Sequence, residues 1–260
     1  MRKSFSLVVL ALLLLSLQTL VYVTMQGYIY LDILGNLFIC SISLCAMVAC
    51  WIPYRKLSKN FPLEKKGWFF IALATTLFFL GDIAWAFFEV FLKIHVPVGS
   101  LCDLFWNLAY FSLMYGLWCL MSVLFFESQN RNRIILFASF LIGCVVLFFD
   151  LRVHSANLSF VDFIQHLYVF YDVIILGMIY LILMPLLMAH NHLFITWTIF
   201  GSAIIARIVF DFIFAHMNDA GTFYTGHPLD LVYTFSYFLF VFAAYEKDKL
   251  IGIITMREKA

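Results

Sequence analysis

Residues 81–110 read Gly81-Asp82-Ile83-Ala84-Trp85-Ala86-Phe87-Phe88-Glu89-Val90-Phe91-Leu92, then Lys93-Ile94-His95-Val96-Pro97-Val98-Gly99, then Ser100-Leu101-Cys102-Asp103-Leu104-Phe105-Trp106-Asn107-Leu108-Ala109-Tyr110. The first and last segments sit in apolar runs long enough to span a bilayer, and the middle one is a short break. Two such runs with a proline- and glycine-bearing break form a helical hairpin. Asp82 and Glu89 lie inside the first run. An ionisable group near the middle of a membrane helix costs about 2.5–3.5 kcal/mol on insertion scales, so each needs a partner or a function.

The rest of the chain has the same character. It is 65% hydrophobic and 12% charged, with a mean hydropathy of +1.00, whereas a soluble domain is roughly half apolar and about a quarter charged. The fold class expected is therefore all-α, a polytopic membrane protein forming one integral membrane domain over 1–260. Eight apolar runs stand out, at 5–25, 29–52, 67–92, 101–125, 134–150, 161–188, 193–214 and 229–245. The first has no small-residue cleavage site before Gly27 and reads as an uncleaved span. Cys40, Cys45, Cys50, Cys119 and Cys144 fall within these runs and Cys102 lies near a loop, which makes them small apolar residues rather than a disulfide framework.

Cations set the orientation. With eight spans starting inside, Arg2, Lys3, Arg55, Lys56, Lys59, Lys65, Lys66, Arg131, Arg133, Lys247, Lys249, Arg257 and Lys259 are all cytoplasmic, and only Lys93 and Arg152 are outside. Both termini are then in the cytoplasm of a multi-pass protein of the cell membrane. Arg207 remains within a span. Most acids and five of the seven histidines fall towards the outer face, and Asp172 lies deeper. The chemistry is concentrated on that side.

An offset of 127–130 residues relates Asp32 to Asp162, Asp82 to Asp211 and Asp103 to Asp230. The neighbours follow: Asp103-x-x-Trp106-Asn107-x-x-Tyr110 parallels Asp230-x-x-Tyr233-Thr234-x-x-Tyr237. This suggests a parallel 4+4 helix repeat with halves 1–130 and 131–245, and 246–260 as a cytoplasmic tail or the start of a linker.

Several acids have a structural explanation. Ser100-x-x-Asp103 and Ser159-x-x-Asp162 fit a capping box, and His227-Pro228-Leu229-Asp230 puts proline at the first helical position with the acid two residues on. Capping leaves the odd-numbered spans unexplained. Asp82, Trp85 and Glu89 share one helix face, and Arg207 and Asp211 are one turn apart, where opposite charges pair. These residues, with Asp103, Trp106, Asn107 and Tyr110 on one neighbouring helix, Asp230, Tyr233 and Tyr237 on another, and His166 one turn after Asp162, are the candidate walls of an outward-facing polar pocket. The alternative is an ion-pair network that only stabilises the bundle.

Some chemistry is excluded. No Lys lies within a span to form a retinal Schiff base, and there is no Gly-x-Ser-x-Gly, His-Glu-x-x-His or phosphate-binding glycine loop. A zinc site from His154, His166, His216 and His227 is disfavoured because most of them lie in loops. No metal or other cofactor is expected, and no catalytic residue is assigned.

Gly81-Asp82-x-x-Trp85, the loop with Pro97, and Ser100-x-x-Asp103-x-x-Trp106 with Tyr110 resemble the many-span N-terminal sensor regions of prokaryotic histidine kinases and diguanylate cyclases. The chain departs from that pattern at Phe111, where proline would follow the tyrosine, and no kinase or cyclase domain follows. The resemblance implies a non-enzymatic sensory receptor that binds a small ligand and signals to the cytoplasm. Its helix from Tyr245 onward would lead to an output domain. The partners expected are the lipid bilayer, a small ligand, a cytoplasmic output domain or partner reached through the tail, and a second copy of the chain in a homodimer; no nucleic acid is expected. Two rival functions follow from buried acids in a bundle: a proton- or ion-coupled secondary transporter, and an intramembrane metal-dependent lipid hydrolase.

Overall fold

A computed structural model describes residues 2–25, 28, 30–124, 129–154, 160–188 and 193–257. Among them are eight helices and no strand: α1 Arg2–Thr24, α2 Leu31–Lys56, α3 Pro62–Ala86, α4 Leu101–Leu124, α5 Gln129–His154, α6 Phe160–Met188, α7 Leu193–Asp219 and α8 Leu229–Arg257. A π-helical turn, Phe87–Phe91, extends α3. A helix satisfies its own backbone hydrogen bonds, which hydrocarbon cannot do for it, so apolar runs of this length fold no other way in a bilayer. Six segments, of α2, α3 with its π turn, α4, α6, α7 and α8, are long and apolar enough to cross a membrane. The chain is therefore a multi-pass helical membrane protein. The apolar parts of α1 and α5 are shorter, Val9–Thr24 and Ile134–Val146.

Several helices run past the apolar runs that announce them. α3 begins at Pro62, five residues before the apolar run, because Pro62 suits the first helical position and Glu64 favours the first turn. α8 continues from Tyr245 through Arg257. At this end Lys247, only 3% exposed, pairs with Glu64 of α3, and Lys56 of α2 pairs with Asp248 at 2.7 Å. The α2–α3 connection and the end of α8 thus lie together, opposite the α3–α4 and α7–α8 loops.

α3 and α4 approach closely because glycine removes the intervening side chains. A Cβ on Gly116 would stand 2.9 Å from the Gly67 carbonyl oxygen, and one on Gly81 would stand 2.2 Å from Trp106 Nε1. The core between helices holds Trp68, Ile71 and Phe78 of α3, Phe200 of α7, and Tyr237 and Phe240 of α8. α2 touches α3 and α8; α6 touches α7 and α4; α3 meets α4 as α7 meets α8; and α1 meets α2 as α5 meets α6. Advancing each helix number by four, with the second four returning to the first, carries these contacts onto one another. Among the larger interhelical contacts of the described residues, only α1–α8 lacks a counterpart.

Candidate functional site

Asp82 is 3% exposed and faces α8, where Tyr233 donates to Oδ1 at 2.6 Å and Tyr237 donates to Oδ2 at 2.7 Å. The rings of those tyrosines serve a second group. Arg207, 5% exposed, places its guanidinium carbon 4.2 Å from the Tyr233 ring centre, 5.4 Å from that of Tyr237 and 4.2 Å from that of Phe78. Asp82 and Arg207 are thus joined through shared tyrosines, hydroxyl to the acid and ring face to the cation. Asp211 lies one turn along α7, its Oδ2 3.8 Å from Arg207 Nε. That is an ion pair without a hydrogen bond, and Nε and Nη1 of Arg207 are buried with no partner.

Asp211 also accepts from the Tyr110 hydroxyl of α4, and the same hydroxyl lies 3.2 Å from Oδ1 of Asp172 on α6. One phenolic proton thus stands between two carboxylates, and Asp172 Oδ2 has no partner. Asp172, which the sequence places deeper than the other acids, is not among the candidate wall residues. Its position in this cluster follows from the α4–α6 contact, which periodicity within one helix does not reveal. Tyr168 and Tyr171 belong to the same contact: Tyr168 donates to Asp103 Oδ1 at 2.7 Å, and Asn107 lies 3.2 Å from Tyr168 and 3.1 Å from Tyr171.

Asp103 and Asp230 act at helix starts. Asp103 Oδ2 accepts from the backbone N–H of Gly99 at 2.8 Å and of Ser100 at 3.1 Å, and Asp230 Oδ2 accepts from that of Gly226 at 2.8 Å. Both glycines have positive φ, 80° and 95°, the left-handed conformation in which a side chain would be strained. The capping box at Ser100 is only half made, since Ser100 Oγ is buried without a partner. α8 begins at Leu229, so Pro228 precedes the helix instead of occupying its first position, and Leu229 N–H donates to His227 Nδ1.

Glu89 lies within the π turn, outside the cavity lining that includes Asp82 and Trp85. The π turn widens the helix there, and the carboxylate accepts from Asn36 at 2.6 Å, from Trp85 at 3.2 Å, and from Thr225 of the α7–α8 loop at 2.7 and 2.6 Å. It fastens that loop to α2 and α3.

Above the Asp82–Arg207–Asp211 floor is a cavity of roughly 970 Å³, a figure that includes its open mouth. Of the candidate residues, Asp82, Trp85, Asp103, Trp106, Tyr110, Arg207, Asp211, Asp230 and Tyr233 line it. Phe210, Phe214 and Phe223 add ring faces, and Val96, Pro97, Phe223 and Thr225 bring it up to the two loops. Along α7 it reaches from Arg207 to Asn218, about 16 Å at 1.5 Å per residue. Glu89, Asn107 and Tyr237 stand behind this lining as hydrogen-bond partners of residues in it. His166 lies on α6, but its side chain, like that of Asp162, is outside the described residues. Asn36, Tyr168, Asn218 and Thr225 also line the cavity and were missed; each carries a weak polar signal in a chain with many such residues. Among the described residues, no group of three or more His, Cys, Asp or Glu side chains is placed to hold a metal ion. Set against protein-family models, curated proteins and solved structures, the chain matches none of them.

Proposed function

We propose that this protein is a sensory receptor module of the cell membrane that binds a small ligand in the cavity above Arg207 and passes the event to the cytoplasmic side along α8. On this reading all eight helices span the bilayer, both termini are cytoplasmic, and the cavity opens outward. The contact pattern that maps α1–α4 onto α5–α8 supports a duplicated four-helix unit. The resemblance of residues 81–110 to kinase and cyclase sensor regions points the same way, with an output domain or partner meeting the tail.

One observation carries the proposal. α8 is a single uninterrupted helix whose Tyr233 and Tyr237 hold Asp82 at the cavity floor, and whose Lys247 and Asp248 hold α3 and α2 at the opposite end. From Tyr237 to Lys247 is about 15 Å of helix. A ligand that favours one arrangement of the floor therefore biases the far end through one rigid element. The carrier reading lacks comparable support, because the described cavity lining reaches only the α3–α4 and α7–α8 loops.

Two measurements test this. Tyr237→Phe keeps the ring over Arg207 and removes one donor to Asp82; it should change amide hydrogen exchange in residues 246–253. Proteoliposomes containing the wild-type chain and a trapped pH dye should show proton flux no faster than empty vesicles under an imposed gradient. Unchanged exchange at the far end refutes the signalling path, and flux that disappears in Asp82→Asn replaces the receptor with a carrier.

A further inference from the structure

The cavity's polar groups select by charge as well as by shape, and they differ in how far they are already engaged. Both oxygens of Asp82 accept tyrosine hydroxyls, and both oxygens of Asp103 accept donors from Tyr168 and from the Gly99 and Ser100 backbone. A cationic ligand at either of these acids would have to displace donors already in place, and at Asp211 it would meet the charge of Arg207 3.8 Å away. The Arg207 donors are the reverse case: Nε and Nη1 are buried without a hydrogen-bond partner on a residue that lines the cavity. A buried donor left unpaired is costly, so the floor calls for an acceptor. That acceptor cannot readily be an anion. Arg207 shares its surroundings with Asp211 at 3.8 Å and with Asp82 through their common tyrosines, and Asp172 lies beyond Tyr110. As carboxylates these outnumber the one guanidinium, and a further negative charge would be repelled. The Phe78 and Tyr233 ring centres each lie 4.2 Å from the guanidinium carbon, and the guanidinium N–H groups point outward in its plane, so an acceptor approaches its edge.

The walls specify the remainder of the molecule. Trp85 and Trp106 are stacked with ring centres 5.8 Å apart, and Phe214 stands against Trp85 at 5.8 Å and against Phe223 at 4.8 Å. Apart from the Trp106 indole N–H, which has no hydrogen-bond partner, these are flat apolar surfaces suited to a planar hydrophobic body.

Building on the receptor reading, we propose that the ligand is an uncharged compound with a planar apolar body and a carbonyl oxygen, the oxygen accepting from the edge of Arg207 and the body lying among Trp85, Phe210, Phe214 and Phe223.

The full chain in lipid nanodiscs is dialysed to equilibrium against three probes that share a ring system and differ in charge: 2-acetylnaphthalene, 2-naphthoate and 2-(aminomethyl)naphthalene. Empty nanodiscs measure partition into lipid. The neutral ketone should bind saturably and about tenfold or more tighter than either ion. Its carbonyl, labelled with carbon-13, should show a lowered infrared stretching frequency in the protein relative to lipid alone, as hydrogen bonding to a guanidinium requires. Arg207→Met should remove both effects. If that variant does not fold, the wild-type ranking and the infrared shift still decide. Tighter saturable binding of the amine or the carboxylate keeps the receptor and overturns this ligand class, as does ketone binding without the infrared shift. Saturable binding of none of the three overturns the ligand class and the receptor reading together.

Discussion

Replacing Arg207 with methionine tests the electrostatic reasoning where it is most exposed. The variant keeps an unbranched, polarizable side chain between Phe78 and Tyr233 and removes the only cation at the floor among the described residues. Asp82 retains both tyrosine donors, so the loss falls mainly on Asp211, which retains only the Tyr110 hydroxyl it shares with Asp172. At the observed 3.8 Å, and with an effective dielectric constant near 20, the lost attraction is about 4 kcal/mol. The cation–π contacts add roughly 0.5–2 kcal/mol. Against this, the desolvation of a buried guanidinium no longer has to be met, which brings the net loss to about 3–5 kcal/mol. The assay is reversible unfolding in mixed micelles, followed by circular dichroism against the mole fraction of a denaturing detergent. Arg207→Met with Asp211→Leu removes both charges, and it should recover at least about 2 kcal/mol of the single variant's loss. If Arg207→Met unfolds within about 0.5 kcal/mol of wild type, as an inert surface substitution would, the ion pair contributes nothing and the account of the floor is wrong.

Two substitutions test the cavity walls and roof. Gly81→Val places a branched side chain where a Cβ would already stand 2.2 Å from Trp106 Nε1, so the indole must leave its stack with Trp85. The expected cost is about 1–3 kcal/mol, and the near-ultraviolet circular dichroism of the tryptophan pair should diminish; an unchanged spectrum means that the α3–α4 approach is not held by this glycine. Thr225→Val removes the hydroxyl that Glu89 holds at 2.6 Å, a bond to a charged group worth roughly 1.5–3 kcal/mol. Amide exchange in residues 220–226 should rise about tenfold or more with the rest of the bundle unaffected, and equal protection in the variant removes Glu89 as the fastening of the loop.

Helices were legible in the sequence because hydrocarbon allows the backbone no alternative, and their ends were less so because polar residues such as Glu64 and Lys247 extend a helix beyond its apolar run. The floor was legible for a related reason. Asp82, Arg207 and Asp211 are too costly in a span to be incidental, and the one-turn spacing of the last two names their pairing. What could not be read was which helices abut. Tyr168, Tyr171 and Asp172 lie on the face of α6 that meets α4, and nothing in the periodicity of either helix specifies that contact. Glu89 reads as a cavity wall but stands behind the lining: spacing arguments assume 3.6 residues per turn, and the acid lies inside the π turn at Phe87–Phe91. Thr225 gave only a weak polar signal, since its role comes from a loop folding back 136 residues from its partner.

The proposed duplication of a four-helix unit gives the lone arginine a physical explanation. Gly99 and Asp103 make the same cap as Gly226 and Asp230, each with an N–H to Oδ2 distance of 2.8 Å. Tyr237 of α8 donates to Asp82 of α3, and its counterpart Tyr110 of α4 donates to Asp211 of α7, so the two halves exchange partners. The offset that relates Asp82 to Asp211 relates Phe78 to Arg207, and these two side chains touch, the guanidinium carbon 4.2 Å from the ring centre. Corresponding residues of a two-fold arrangement meet only at its axis. Arginine at both positions would press two buried cations together, and phenylalanine at both would leave two acids without a cation. One of each gives the charge a ring face to rest on, and it leaves the edge of the guanidinium, with its unpaired donors, at the cavity floor.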